Sequence, residues 1–221
     1  NADVDLSAYA GLALGAPNEA SYSGNISLAA GADYHFSSAA GGSLTVETVL
    51  DASRNIVVDG QGLTGGKVVL NGNASLNGDL VVRGNAVADG HGNMTFALGR
   101  NLITTGAVTV ENGGVIDLAG YNLSISGALS GTGGSIIDSS GHAELNFSAD
   151  VADVSSAAYM DLATVRKTGS RNFTLTNDNV NIDNLYVEEG SVTMGSGTRS
   201  MTVHLAGGTH VDVGTNTAQF D

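Results

Sequence analysis

Cysteine is absent from the 221 residues, and proline occurs once. Without cysteine the chain has no disulfide, no thiolate metal site and no thiol nucleophile. Aromatic residues make up 5% and charged residues 14%, against an ordinary charged share of about 25%. Basic residues are the scarcest charged class: 8 Lys and Arg face 22 Asp and Glu, for a formal net charge of -14. Such a surface repels phosphate backbones and anionic headgroups, which excludes nucleic acid as an expected partner and polybasic docking onto lipid. No apolar run reaches the 18 residues or so that a membrane-spanning helix needs, so the segment is not expected to enter a bilayer itself. No basic-then-apolar export signal opens the chain. Asn1-Ala2-Asp3-Val4-Asp5 reads as the inside of a longer protein, a mature or excised segment.

What is present is glycine, 32 residues of it, and an aliphatic-rich 42% of hydrophobic residues. That hydrophobic share is too high for a disordered acidic chain. A short motif recurs: apolar, any, apolar, one or two polar residues, then Gly or Asn. It is seen in Ile56-Val57-Val58-Asp59-Gly60, Val68-Val69-Leu70-Asn71-Gly72 and Leu80-Val81-Val82-Arg83-Gly84. It returns in Val108-Thr109-Val110, Val115-Ile116-Asp117, Leu123-Ser124-Ile125, Leu185-Tyr186-Val187 and Met201-Thr202-Val203. Alternation of period two puts the first and third residues of each motif on one face of a strand. Gly and Asn supply the left-handed backbone that turns the chain after so short a strand.

A strand of this kind buries two small side chains and cannot hold a core alone. Stacking such strands in parallel coils aligns the side chains into continuous aliphatic ladders. The expected fold is therefore all-β, a right-handed parallel β-helix (β-solenoid) forming a single domain over 1–221. Coils of roughly 20–25 residues give about nine or ten turns and a rod about 45 Å long at the spacing of paired strands. Val108, Val115 and Leu123 are expected to begin the three sides of one coil, and Leu129 the next. Two stretches depart from the pattern. Asp5 to Ala16 is Ala-rich and reads as a short helix or an irregular first coil. Within 148–167, Val151, Val154, Ala158, Leu162 and Val165 recur at helical spacing, which leaves a short helix or an extruded loop. Asn71, Asn73, Asn112 and Asn122 sit at turns, either as a stacked amide ladder or by simple turn preference.

Catalytic signatures are weak. Ser130 and Ser196 lie among glycines, but no Gly-x-Ser-x-Gly elbow surrounds them, and turn serines of a solenoid account for both. Of the five histidines, His35, His91, His142, His204 and His210, the last two are close enough in sequence to meet on adjacent sides. No acidic ligand motif accompanies them. Asp89-Gly90-His91-Gly92-Asn93 reads as a ligand loop or, more simply, a surface turn. Asp150 and Asp153 are placed to share one face, with Asp138 near them, which is the carboxylate cluster a polysaccharide lyase or hydrolase on a β-helix would need. Six Asn-x-Ser/Thr sequons, at Asn25, Asn73, Asn93, Asn122, Asn146 and Asn172, follow from an Asn- and Ser-rich composition. No catalytic, cofactor-binding or metal-binding residue is assigned, and no cofactor is expected.

Arg166-Lys167-Thr168-Gly169-Ser170-Arg171-Asn172-Phe173-Thr174-Leu175-Thr176 resembles the autotransporter-associated β-strand repeat, roughly Leu-x-Lys-x-Gly-x-Gly-x-Leu-x-Leu. Leu185-Tyr186-Val187-Glu188-Glu189-Gly190-Ser191-Val192-Thr193-Met194 is similar to the strand that follows in that repeat. Arg171 stands where the family usually has Gly. The clear match covers about 30 residues, and Ser126 to Gly133 resembles looser coils of the same passengers. The resemblance implies an exported passenger, secreted or displayed on the cell surface of a Gram-negative bacterium. It further implies an adhesin or structural stalk whose partners are a host cell surface, a glycan, or like rods in self-association. The alternative is a glycan-processing enzyme carried on the same fold.

Overall fold

A computed structural model describes residues 2–9, 11–60, 65–84, 94–150, 153–178, 180–195, 200–214 and 217–220. They form a parallel β-solenoid of about nine turns and contain 26 strands and no helix. Every strand pairing is parallel. One side of the coil is a 10-stranded sheet running from Leu14–Ala16 to His210–Asp212. The other two sides belong to a 14-stranded sheet. Val108–Val110, Gly114–Asp117 and Leu123–Ile125 are the three sides of one coil, and Leu129–Gly131 opens the next, with Val108 beside Leu129. The motifs at Ile56 and Leu80 lie beside each other on one side, and the motif at Val68 lies on the second. Their regular spacing in sequence thus corresponds to half a coil.

The core follows from the alternation. On the first side Ile56, Leu80, Val108 and Leu129 stack inward, and so do Val58, Val82 and Val110. On the second side the column is Leu44, Val68, Phe96, Ile116, Ile136 and Met160. On the third it is Leu102, Leu123, Leu145, Val165, Leu185 and Val203. The inward assignments of Val108, Val110, Leu123, Ile125, Leu185 and Val187 hold, since each is fully or almost fully buried. In the motif at Val115 the phase is off by one: Ile116 and Leu118 are buried, and Val115 faces outward, whereas Val68 and Leu70 on the same side are inward. The strand begins at Gly114, one residue before the apolar run, so the first apolar residue is not the first inward one.

Two open questions are resolved by long-range pairing. The described residues from Asp5 to Ala16 hold no helix: Val4–Leu6 pairs with Ile26–Leu28, and Leu14–Ala16 pairs with Phe36–Ser38, making an irregular first coil. Within 148–167 the described residues hold no helix: Ser148 ends one strand, Val154–Ser156 and Tyr159–Thr168 form two more, and Ala149, Asp150 and Asp153 lie in the connection between Ser148 and Val154. Val154–Ser156 pairs with strands on both neighbouring coils, and so does Tyr159–Thr168, which overrides the helical spacing of their apolar residues. Val151 lies outside the described residues.

Coil length is not constant. Hydrogen bonds join residues 22 apart at Ser38 and Ala16, 28 apart at Ala107 and Asp79, and 19 apart at Asn172 and Asp153. The shortening has a local cause. Tyr159–Thr168 is 10 residues long and pairs first with Ser135–Ile137 and then with Glu144–Ser148. It runs straight where the preceding coil turns between those strands, so the second and third sides fuse from this coil on.

Asp138 makes that last turn. Its carboxylate accepts backbone N–H bonds from Gly120, Ser140, His142 and Ala143 and the Ser140 hydroxyl. Burial pushes its pKa up, but the N–H groups of Ala143, Gly120 and Ser140 outweigh that and bring it down to about 2. A folded-state pKa below the unfolded 3.8 means stability that is present above pH 4 and lost as pH falls toward 2. Asp138→Asn is expected to cost about 2 kcal/mol at pH 7, with the gap to the parent protein closing by pH 2. Urea melts of both proteins across that range check it, and a gap independent of pH would refute the ionic role.

Candidate functional site

Stacked turns leave little room between coils unless one of them lifts. At the corner between the third and first sides, Gly78, Gly106 and Gly127 lie one above another, each against a carbonyl of the coil before. The next coil breaks this column. Its chain takes more residues to pass from Phe147 to Val154 than the coil below takes from Ile125 to Leu129. The result is a groove of about 370 Å³ over Gly127, lined by Ala128, Ser130, Asp150, Asp153 and Ser155 among others.

Asp150 and Asp153 therefore do share one site. The Ser148 hydroxyl donates to Asp150 Oδ2, and the Asn172 N–H donates to Asp153 Oδ1 at 3.0 Å. Asp138 does not join them: its oxygens are occupied by its own turn, and it does not line the groove. Ser130 is on the floor, with its hydroxyl 3.1 Å from that of Thr109 on the coil below. Ser196, His91 and the whole Asp89–Asn93 stretch lie outside the described residues.

Near the two carboxylates is a residue the sequence reading did not single out. Lys167 occupies an inward position, between Phe147 and Val187 in the third-side ladder, and is fully buried. Its Nζ donates to the carbonyl oxygens of Gly169 and, at 2.8 Å, Glu189. Burial lowers its pKa, and the negative charges of Asp150, Glu189 and Asp153 act in the opposite direction. The signal was available: in Val165-Arg166-Lys167 strict alternation puts Lys167 on the face of Val165. Gly169 and Gly190, both at positive φ, let the chain turn around the ammonium group. Arg171 has an ordinary negative φ and is exposed, so the turn takes its left-handed residue at Gly169 and does not need glycine at 171.

Arg166, its neighbour, points out. It binds Glu144 at 3.0 Å and Glu188 at 2.5 Å, and lies 4.4 Å over the ring of Tyr186, which stacks on His204 at 4.2 Å. The hydrogen bonds to Glu144, then to Glu188, raise its pKa further. This ladder ties four coils together on the outside of the third side. His204 thus packs on Tyr186 and does not meet His210, which is exposed on the first side. His35 lies on the outer face of the first side and His142 in the Asp138 turn. Among the described residues no group of three or more His, Asp or Glu side chains is placed to hold a metal ion.

The four asparagines do not form one column. Asn73 is buried and bonds both backbone groups of Leu50, whereas Asn71 donates to Glu47. Ladders do exist at other turn positions. Asp33, Asn55 and Asp79 each precede a strand of the first side, and the Oδ1 atoms of Asn55 and Asp79 accept the N–H of the equivalent residue one coil on, at 2.8 Å. Asn101 and Asn122 do the same ahead of the third side at 2.9 Å. Compared with known proteins, the chain matches no protein-family model, no curated protein and no solved structure.

Proposed function

We propose that this chain is a binding rod, a secreted or surface-displayed bacterial passenger that acts as an adhesin or structural stalk. Its partners on this reading are a host cell surface, its glycans, or further copies of the rod. The observation that supports it most is the outer face of the first side. Thr109, Ser130, Ser155, Thr174 and Thr193 follow one another on five successive coils, all at least partly exposed. A row of hydroxyls at a strand spacing of about 4.8 Å offers the same weak contact many times, so that avidity multiplies along the rod. The resemblance of residues 166–194 to the passenger repeat points the same way.

The second reading, a glycan-processing enzyme, is favoured by one observation: Asp150 and Asp153 line a common groove. The two readings differ in product. Protein immobilised on a surface is expected to retain bacteria or epithelial cells while releasing no reducing sugar from pectin, mucin or host glycans. Sugar release that disappears in Asp150→Asn or Asp153→Asn would replace the adhesin with the enzyme.

A further inference from the structure

We propose that the groove over Gly127 seats a single basic side chain, a lysine or arginine carried by a partner protein. This rests on the binding reading above and says where on the rod, and by what chemistry, a partner is held. Asp150 and Asp153 line the groove, each oriented by one hydrogen bond. A carboxylate has about four acceptor sites, so both keep capacity for a donor from outside. The remaining lining includes Ala128, Leu129, Ala149 and Val154. Apolar walls with carboxylates beside them match a long aliphatic stem that ends in a charge.

The charges select the same occupant. Two carboxylates on a chain of net charge -14 repel uronates, sialic acids and phosphates and draw cations in. Lys167, the nearby internal cation, has its ammonium group turned to the carbonyls of Gly169 and Glu189. No aromatic ring is among the lining residues, so a sugar would find no stacking surface. The volume of about 370 Å³ is near the lower end of the usual range for ligand pockets, about 300–1,000 Å³, and suits one side chain better than an oligosaccharide.

The test uses the full chain and end-blocked tetralysine, with binding followed by calorimetry. Saturable binding is expected, weakening as salt is raised. Asp150→Asn/Asp153→Asn should reduce the affinity about tenfold, a loss of about 1.4 kcal/mol, as expected for exposed contacts between opposite charges. Ala128→Phe, which fills the groove and leaves both carboxylates in place, should abolish binding, and fully acetylated tetralysine should not bind. Asp5→Asn/Glu19→Gln removes the same charge from the first coils and should change nothing. Equal loss in the two double variants would reduce the effect to diffuse attraction by an acidic surface and overturn the site. So would no binding, binding that strengthens with salt, or a neutral oligosaccharide or calcium competing for the same residues. Cell retention separates the two levels. Retention without tetralysine binding removes the groove proposal and leaves the adhesin. Tetralysine binding without retention removes the adhesin and leaves a groove for a basic chain.

Discussion

Val110→Asp is expected to destabilise the protein by about 3–5 kcal/mol, a large share of the roughly 5–15 kcal/mol that holds an ordinary domain folded. Val110 is fully buried and lies in the first-side ladder between Val82 and Gly131. A carboxylate there would face aliphatic side chains on the same column and the Gly134 turn, which already approaches its Cγ1. Asp138, by contrast, has its charge held by four backbone N–H groups. The residue beside Val110 sets the control. Thr109 is on the outer face of the same strand, and Thr109→Asp should change stability by about 0.5 kcal/mol or less. Chemical denaturation of the two variants decides it, and equal stability would place Val110 outside the core.

Gly106→Ala should cost about 3 kcal/mol, the upper part of the range for forcing one extra carbon into a packed site. A Cβ on Gly106 would lie within 3.0 Å of the Gly78 carbonyl, and one on Gly127 would meet Gly106 in the same way. The obstacle is backbone, held in place by the pairing of adjacent coils, so it cannot give way as a flexible side chain would. Gly106 is not among the positive-φ glycines, so the cost comes from close approach and not from conformation. Two other glycines separate these causes. Gly207 has open space around it and no positive φ, and alanine there should be neutral. Gly141 has open space but a φ of 76°, and alanine there should cost about 1 kcal/mol from backbone strain alone. If Gly106→Ala melted with Gly207→Ala, the tight stacking of corners would be wrong.

Sequence reading worked where the determinant was local. Period-two alternation at Val108, Leu123 and Leu185 identifies strand, inward face and approximate coil without any partner in view. It lost the phase at Gly114 because a glycine carries no side chain to mark an inward position. It left a helix or loop open within 148–167 because apolar spacing there fits either period; the pairing of Tyr159–Thr168 on both edges excludes the helix there, while Ala149, Asp150 and Asp153 lie outside any strand. The carboxylates of the groove were picked out as a pair from Asp150 and Asp153 alone. Asp138 was grouped with them wrongly, because nothing in its neighbourhood announces that Gly120, a coil away, will donate to it.

By itself, then, the sequence determined that this chain forms short strands with aliphatic inner faces and glycine- or asparagine-bearing turns, under an acidic, hydroxyl-rich surface. It did so because side-chain alternation and backbone freedom are properties of a few adjacent residues. Only the tertiary structure decided how the coils lie on one another: where the second and third sides fuse, which residues meet around the groove, and that Lys167 ends inside. Those features depend on hydrogen bonds between residues 19 to 28 positions apart, with spacing that varies from coil to coil. A residue's neighbours across that distance are fixed by the register of the stack, and the register is the outcome of all the ladders packing at once.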